Sequence, residues 1–267
     1  MNTFDAIILG IIQGLAEFLP ISSSGHLIIA RDLFGWKGSG DLAFDAVLQL
    51  ATVMALIFYF WKDIWQLIKS FFKMLAGKTI EKREKTMIWA IIVGTIPAII
   101  AGMFLEKYMA TTFRSAFLVC IILIIGSGLM FLAEKIATKN KELTVKKGLA
   151  VGFFQCLALI PGFSRSGATI SGGLLLGLTR GEAARFSFLL SIPIIFGSGL
   201  KKLIEIIQTG TFATDNINLF FGSLTAFVVG IFAIEFLMKF LKKYPLDIFI
   251  YYRVIVAVGV MSVLLLR

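Results

Sequence analysis

The chain has few charged residues and few of the side chains that form covalent or metal cross-links. Only 16% of its 267 residues are charged, 58% are hydrophobic, and the mean hydropathy is +0.91. A soluble globular domain is nearer half apolar and a quarter charged. The two cysteines, Cys120 and Cys156, both lie in apolar sequence and are interpreted as small hydrophobic side chains. This composition argues against a soluble domain, a disulfide framework and a cysteine zinc site.

Long apolar runs dominate the rest of the sequence. A helix rises 1.5 Å per residue, so about 20 apolar residues cross the roughly 30 Å hydrocarbon layer of a bilayer. Several runs approach that length, which predicts an all-α polytopic membrane protein surrounded by membrane lipids. These runs are 44–61, 88–105, 117–133, 186–200, 219–238 and 248–266.

The net charge of +10 is concentrated in alternate connections between these runs. Of the 26 Lys and Arg residues, seven fall in 62–87, five in 134–147 and three in 239–247, whereas 106–115 and 201–218 carry two each. The positive-inside rule places the more basic connections in the cytoplasm. The charge therefore indicates topology, and no nucleic-acid partner is expected.

The two halves of the chain resemble each other when the sequence is shifted by 142 residues. Gln13 then falls on Gln155, and Phe44 falls on Phe186. We therefore predict a single integral membrane domain over residues 1–267, with repeat halves of about 1–125 and 143–267. The shift also aligns Ser22, Ser24 and Gly25 with Ser164, Ser166 and Gly167.

The charge map indicates that the repeat is inverted. Each half has three full spans, and an odd number of spans reverses the second half relative to the first. An apolar stretch interrupted by Gly, Pro or Ser precedes the spans in each half, at 2–19 and 151–160. A bilayer tolerates such segments only where protein or a wet cavity surrounds them. We therefore predict an inverted-topology internal repeat, each half a re-entrant helical hairpin plus three transmembrane helices, with both Ser-rich turns meeting near the midplane.

The first polar cluster includes the only histidine of the chain, His26. Ionisable groups at membrane depth are costly and indicate a functional site. Gln13 and Glu17 have the i,i+4 spacing that places both side chains on one helix face. Ser22-Ser23-Ser24 and Gly25 follow a break and begin the next helical piece, where unpaired N–H groups and the helix dipole favour an anion.

The second cluster, Ser164-Arg165-Ser166 with Thr169 one turn later, repeats this arrangement and adds a fixed cation. The planar guanidinium of arginine matches phosphate oxygens, so the two clusters together predict a phosphate or diphosphate pocket. In it a serine or His26 near Glu17 can attack phosphorus, or His26 can protonate the leaving phosphate. Glu17, with Gln13, can hold a divalent cation that bridges the diphosphate.

Other roles for the same residues remain open. Arg165 can be a structural ion-pair partner of Glu17, and the hydroxyls can serve only to join helices. Glu182 and Arg185 fit a cap and an anchor for the following helix. An inverted repeat around a central anion site also fits a polyprenyl-phosphate transporter or flippase.

The stretch Gln13-Gly-Leu-Ala-Glu17-Phe-Leu-Pro20-Ile-Ser-Ser-Ser-Gly25-His26, together with Pro161-Gly-Phe-Ser-Arg-Ser-Gly-Ala-Thr169, resembles the bacterial undecaprenyl-diphosphate phosphatase family of the bacitracin-resistance type. The resemblance covers essentially the whole chain. It implies hydrolysis of undecaprenyl diphosphate to undecaprenyl phosphate and inorganic phosphate, which recycles the lipid carrier for cell-wall synthesis. It also implies a divalent cation (Mg²⁺ or Ca²⁺), the bacterial cytoplasmic (inner) membrane, and an active site that opens to the extracytoplasmic side.

The resemblance also implies roles for individual residues. Glu17 matches the glutamate of the family motif, and Ser23 and His26 match the residues implicated in attack on phosphorus. We favour Ser23 as nucleophile with His26 as its base or acid, and direct attack by His26 is the alternative. The sequence leaves open the preferred prenyl length and the oligomeric state, for which a homodimer is one option. The remaining expected substrate-binding residues are Ser22, Ser24, Gly25, Ser164, Arg165, Ser166, Thr169 and Gln13, the last standing where many members have Glu.

Overall fold

A computed structural model describes residues 2–36, 41–110, 113, 115–138, 140–209 and 216–266. Within these ranges the regular structure is helical, and the all-α fold class is confirmed. The eleven α-helices found there are Thr3–Phe18 (α1), Ser23–Phe34 (α2), Asp41–Tyr59 (α3), Trp61–Leu75 (α4), Lys82–Ala110 (α5), Ala116–Ile136 (α6), Val145–Leu157 (α7), Arg165–Leu175 (α8), Arg180–Thr209 (α9), Asn216–Phe240 (α10) and Asp247–Leu266 (α11).

Six of these helices, α3, α5, α6, α9, α10 and α11, are long and apolar enough to cross a membrane. Each overlaps one of the predicted runs, so the polytopic class is confirmed. Helices α5 and α9 begin earlier than predicted, at Lys82 and Arg180, because a helix continues past the apolar run into residues suited to the headgroup region. They also contain Pro97 and Pro193, which membrane helices tolerate where neighbouring groups satisfy the freed carbonyls.

Helix α4 was missed by the sequence analysis, which treated 62–87 as a basic connection. Its exposed apolar residues follow helical spacing, and lysines flank them, which is typical of a helix lying in the membrane interface. The Ser70 hydroxyl donates to Glu84 on α5 at 2.6 Å and attaches the inner face of α4 to the bundle. The exposed apolar stripe consists of Trp61, Trp65, Ile68, Phe72 and Leu75, and the lysines are Lys62, Lys69 and Lys73.

Contacts at the start of α9 match the roles expected of Glu182 and Arg185. The Glu182 carboxylate accepts hydrogen bonds from the Thr179 backbone N–H at 3.4 Å and the Thr179 hydroxyl at 2.9 Å. Arg185 pairs with Asp63 on α4. Glu182 therefore caps the first turn of α9, and Arg185 joins that helix to the interfacial helix.

The four remaining helices form the two interrupted segments, α1 with α2 and α7 with α8. Helix α1 packs on α10, and α7 packs on α5. The aligned glycines Gly10 and Gly152 allow both close approaches, because an added Cβ would lie 2.4 Å from Gly222 O and 2.3 Å from Gly94 O respectively. A side chain at either position would clash with the backbone of the neighbouring helix. The close contacts of α1 with α10 and of α7 with α5 position the turns that follow α1 and α7.

Candidate active site

Two serine turns of the same conformation begin α2 and α8. Ser22 has φ 81° and Ser164 has φ 74°, in a region that residues other than glycine rarely adopt. The hydroxyl of each accepts a hydrogen bond from a helix N–H, that of Gly25 at 3.4 Å and that of Gly167 at 3.1 Å. Such backbone strain costs on the order of 1–3 kcal/mol and is concentrated at functional sites. The aligned serines therefore adopt the same strained cap in both halves.

The structure brings these two turns into contact. The Gly162 N–H donates to the Ser22 hydroxyl at 3.1 Å, and the Ser166 hydroxyl donates to Leu19 O at 3.2 Å. A Cβ on Gly25 would lie 3.2 Å from Gly162 Cα, so the approach favours glycine there. The N-termini of α2 and α8 thus lie side by side and present their N–H groups to one region.

Glu17, near the end of α1, connects the reactive groups of both halves. Its Oε2 accepts hydrogen bonds from the Ser23 hydroxyl at 2.6 Å and from Gln13 Nε2 at 3.0 Å. Its Oε1 pairs with the Arg165 guanidinium of the other half. The Glu17 side chain is 1% exposed and that of Arg165 is 17% exposed. The ion pair expected as an alternative role of Arg165 is therefore present.

Two aligned glutamines bring unpaired amide groups to this region. Gln13 Oε1 has no hydrogen-bond partner in the described part of the chain, and the same holds for both amide atoms of Gln155. Both side chains are buried. Because buried polar groups are normally hydrogen-bonded, these atoms indicate a polar ligand or water at the site.

A cavity of about 540 Å³ lies in front of the serine turns. Such a volume, polar at one end and apolar at the other, suits an amphipathic molecule. The polar end is lined by Glu17, Ser22, Ser23, Ser24, Gln155, Ser164 and Arg165. The apolar end is formed by α5 and α9, with Ala98, Ile99, Met103, Ile194 and Ile195.

Three predicted binding residues support the turns from behind. Gly25 supplies a capped N–H, and the Ser166 hydroxyl lies 3.2 Å from that of Ser164. The Thr169 hydroxyl donates to Arg165 O at 2.7 Å. These contacts shape the backbone of the two turns, and none of the three residues lines the cavity.

His26 points away from the cavity, toward Tyr252 on α11. Its Nδ1 is 2.8 Å from Ser22 O, so Nδ1 carries the proton and donates. Its Nε2 is then an acceptor in the neutral ring and lies 3.0 Å from the Tyr252 hydroxyl. The Ser23 hydroxyl donates its hydrogen bond to Glu17, and the role of His26 as base or acid for Ser23 stays a prediction. A direct chemical role of His26 stays a prediction.

Arg253, beside Tyr252 on α11, was not selected by the sequence analysis. Its side chain is fully buried, and it donates to Pro20 O, Gly162 O and Phe163 O at 3.1, 3.0 and 3.1 Å. These carbonyls belong to the two turns. The available signal was an arginine inside the apolar run 248–266, which by itself indicates function.

The oxygens near Ser23 fit a divalent cation that is held jointly with phosphates. In the described ranges, no group of three or more His, Cys, Asp or Glu could hold a metal ion. The Glu17 carboxylate and the unpaired Gln13 Oε1 remain as oxygen donors. Mg²⁺ is usually bound by one or two carboxylates plus substrate phosphates. The donor set therefore suits a cation bridged to a phosphate ligand.

The helical bundle and its cavity define a polytopic membrane protein with a cavity lined by serine-capped helix ends, an arginine and a carboxylate. The family model described as bacitracin resistance protein BacA matches residues 6–259. The chain belongs to this family, and the resemblance drawn from the two motifs is confirmed.

Curated relatives match along the whole chain. It is 43% identical over 274 residues to the undecaprenyl-diphosphatase of Myxococcus xanthus, with 100% of this chain and 90% of the relative covered. It is 40% identical over 270 residues to that of Desulforudis audaxviator, with both chains fully covered. For that of Corynebacterium efficiens the identity is 42% over 270 residues, covering 100% of this chain and 91% of the relative.

The Glu17–Arg165 pair should contribute measurably to stability. Removing one partner of a buried pair leaves an uncompensated charge. We therefore expect Glu17→Gln and Arg165→Met each to lower the free energy of unfolding. The sum of the two single effects should exceed the effect of the double variant by about 1–3 kcal/mol. A double-mutant cycle on the free energy of unfolding in detergent measures this coupling.

The exposed pair Glu235–Lys239 is the control, with side chains 41% and 74% exposed. Its coupling should stay within about 0.5 kcal/mol. Equal coupling for the two pairs would contradict a special role of the buried one.

Proposed function

We propose that this protein hydrolyses undecaprenyl diphosphate to undecaprenyl phosphate and inorganic phosphate, recycling the lipid carrier for cell-wall synthesis and conferring bacitracin resistance. The observation that carries the proposal is the hydroxyl of Ser23 on the Glu17 carboxylate, beside Arg165, at the polar end of an otherwise apolar cavity. The names of relatives 40–43% identical along the whole chain support the same reaction.

Diphosphate binding exchanges the partner of Arg165. The guanidinium pairs with Glu17 in the structure, and a phosphate offers it two parallel oxygens and a greater charge. The N–H groups at the start of α2 and α8 donate hydrogen bonds to the remaining oxygens, aided by both helix dipoles. Ser24 and Ser164 line the same end and contribute hydroxyls. The prenyl chain occupies the apolar space between α5 and α9.

Ser23 is then the nucleophile. Glu17, whose carboxylate already accepts the hydrogen bond of the Ser23 hydroxyl, takes the Ser23 proton. The Ser23 oxygen forms a bond to the terminal phosphorus as the bond from phosphorus to the bridging oxygen breaks, and undecaprenyl phosphate leaves with that electron pair. Water then attacks the phosphorus of the phosphoserine as the bond from phosphorus to the Ser23 oxygen breaks, Glu17 returns its proton to that oxygen, and inorganic phosphate leaves with both protons of the water.

Two further groups assist this reaction. His26 holds the Ser22 carbonyl through Nδ1, which positions the turn that carries Ser23. Glu17 and Gln13 would hold Mg²⁺ or Ca²⁺ together with the substrate phosphates. When bound, such a cation supplies neutralisation of the phosphate charge.

We further infer that the two halves are inverted repeats in the bacterial cytoplasmic membrane. Each half contributes three spanning helices, and an odd number reverses the second half. The matching strain at Ser22 and Ser164 and the matching glycine contacts of α1 and α7 support the repeat.

The side on which the cavity opens follows from α5 and α9. Both helices begin at basic connections, at Lys82 and Arg180, which the positive-inside rule assigns to the cytoplasm. Met103 and Lys201 line the cavity near the opposite ends of these helices. This arrangement supports an opening to the extracytoplasmic side.

Phosphate release tests the function directly. Purified protein in detergent with Mg²⁺ or Ca²⁺ should release phosphate from undecaprenyl diphosphate, whereas a transporter or flippase cannot act without a membrane. Arg165→Lys should lose about 100-fold or more in kcat/KM, because a point charge lacks the bidentate contacts. Arg180→Lys, which alters a guanidinium paired with Glu134, is the control. The absence of release by wild-type protein would exclude the phosphatase.

Ser23→Ala should abolish the phosphorylated intermediate and lower kcat by about 1,000-fold or more, since the nucleophile is removed. Ser24→Ala should cost far less, because a single hydroxyl donor is lost. Rapid quenching with labelled substrate, followed by peptide mapping, identifies the modified residue. A phosphoramidate on His26 would overturn the assignment to Ser23.

Topology is tested with single cysteines in a background that lacks Cys120 and Cys156. Lys78→Cys should react with a membrane-impermeant maleimide only from the cytoplasmic side, and Lys201→Cys only from the outside. The expected side of labelling for each cysteine follows from the charge asymmetry and from the direction of α5 and α9. Labelling of both from the same side would refute the proposed orientation.

A further inference from the structure

Arg253 is the one guanidinium found to contact both serine turns at once in the described part of the chain. It donates to Pro20 O from the first turn and to Gly162 O and Phe163 O from the second. The same side chain donates to Leu123 O and the Ser127 hydroxyl on α6. A single planar group therefore ties both turns to α6 and α11.

The contacts of Arg253 differ from those of the other buried arginines. Its acceptors in the described ranges are four backbone carbonyls and one hydroxyl, all of them neutral. Arg31 pairs with Asp45, and Arg165 pairs with Glu17. Among the described residues no carboxylate pairs with Arg253, although its side chain is 0% exposed. Burying such a charge is costly, so its position calls for a function.

We propose that Arg253 is a positioning residue of the phosphate site with two effects. Its hydrogen bonds fix the separation of the two serine turns, and its uncompensated charge behind them attracts the diphosphate. The electrostatic effect is assigned to Arg253 because Glu17 already neutralises Arg165. Arg253 therefore supplies the positive field that attracts an arriving anion. The inference rests on the proposed function, since it assigns Arg253 to the diphosphate of that reaction.

Two glycines on α6 allow the geometric effect to be tested without changing any charge. A Cβ on Gly126 would lie 2.3 Å from Arg253 Nη2 and 3.0 Å from Phe163 O, so Gly126→Ala must displace the guanidinium. A Cβ on Gly128, two residues later, would meet no atom within 4 Å. Gly128→Ala is therefore a control of the same chemistry on the same helix.

The experiment compares Gly126→Ala, Gly128→Ala, Arg253→Lys and Arg253→Gln as full-length proteins in detergent with Mg²⁺. Three quantities are measured for the folded fraction: kcat and KM for phosphate release, and the dissociation constant of methylenediphosphonate, a diphosphate that cannot be hydrolysed. Thermal unfolding of each variant reports stability separately. The binding measurement needs no turnover, so it tests Arg253 even where phosphate release fails.

The two effects predict different results. Gly126→Ala should lower kcat by about 10- to 100-fold, because misplacement by about 1 Å disrupts reacting geometry, and should change anion binding by less than about threefold. Arg253→Lys should behave similarly, since it keeps the charge. Arg253→Gln should also weaken methylenediphosphonate binding by about tenfold or more, because the charge is lost. Gly128→Ala should match the wild type.

Other outcomes overturn the inference. Equal kcat for folded Gly126→Ala and Gly128→Ala would exclude the geometric effect, and this comparison decides it even where the Arg253 variants do not fold. Wild-type anion binding by Arg253→Gln would exclude the electrostatic effect. Lower stability with unchanged kcat, KM and binding per folded molecule would show a merely structural arginine. Wild-type protein that binds the anion but releases no phosphate would refute the proposed function alone.

Discussion

The ion pair between Glu17 and Arg165 joins the two halves of the chain at the point where their polar turns meet. Neither charge is stable alone at this depth, because hydrocarbon and protein interior solvate ions poorly. Each therefore requires the other half of the chain to be in place. The same carboxylate also accepts the Ser23 hydroxyl and the Gln13 amide, so the pair that stabilises the fold also arranges the reactive groups.

The serine turns show how two similar segments came to perform different tasks. Each turn contains a serine with a strained positive φ, and the hydroxyl of that serine caps the helix that follows. In the first half the next residue is Ser23, which we propose as the nucleophile, and in the second it is Arg165, which we propose as the anion ligand. Similar backbone thus presents unlike side chains to one cavity. The inverted repeat that we propose would supply this complementarity, because it brings two equivalent helix N-termini side by side.

Much of this arrangement could be predicted from the sequence, and the failures have physical causes. Apolar length predicted the six spans, and the 142-residue shift predicted that Ser22 and Ser164 would be equivalent. Helix α4 was missed because its apolar residues alternate with lysines and do not form a continuous run. The direction of the His26 side chain could not be predicted, because sequence adjacency to Ser23 does not determine where a side chain points. Its ring lies toward Tyr252, on a helix more than 200 residues away.

Arg165 and Arg253 divide two demands that one arginine cannot meet. A cation that is to release a carboxylate and take up a phosphate has to be free to change partners, so it cannot also hold the backbone in place. Arg253 bonds neutral carbonyls that do not leave, and its charge persists whichever partner Arg165 selects. Since every neutral acceptor of Arg253 is part of the scaffold, substrate binding need not break its contacts. In the mechanism that we propose, the site thus combines Arg165, a cation that changes partners to recognise the phosphate, with Arg253, a cation that stays in place behind the two turns.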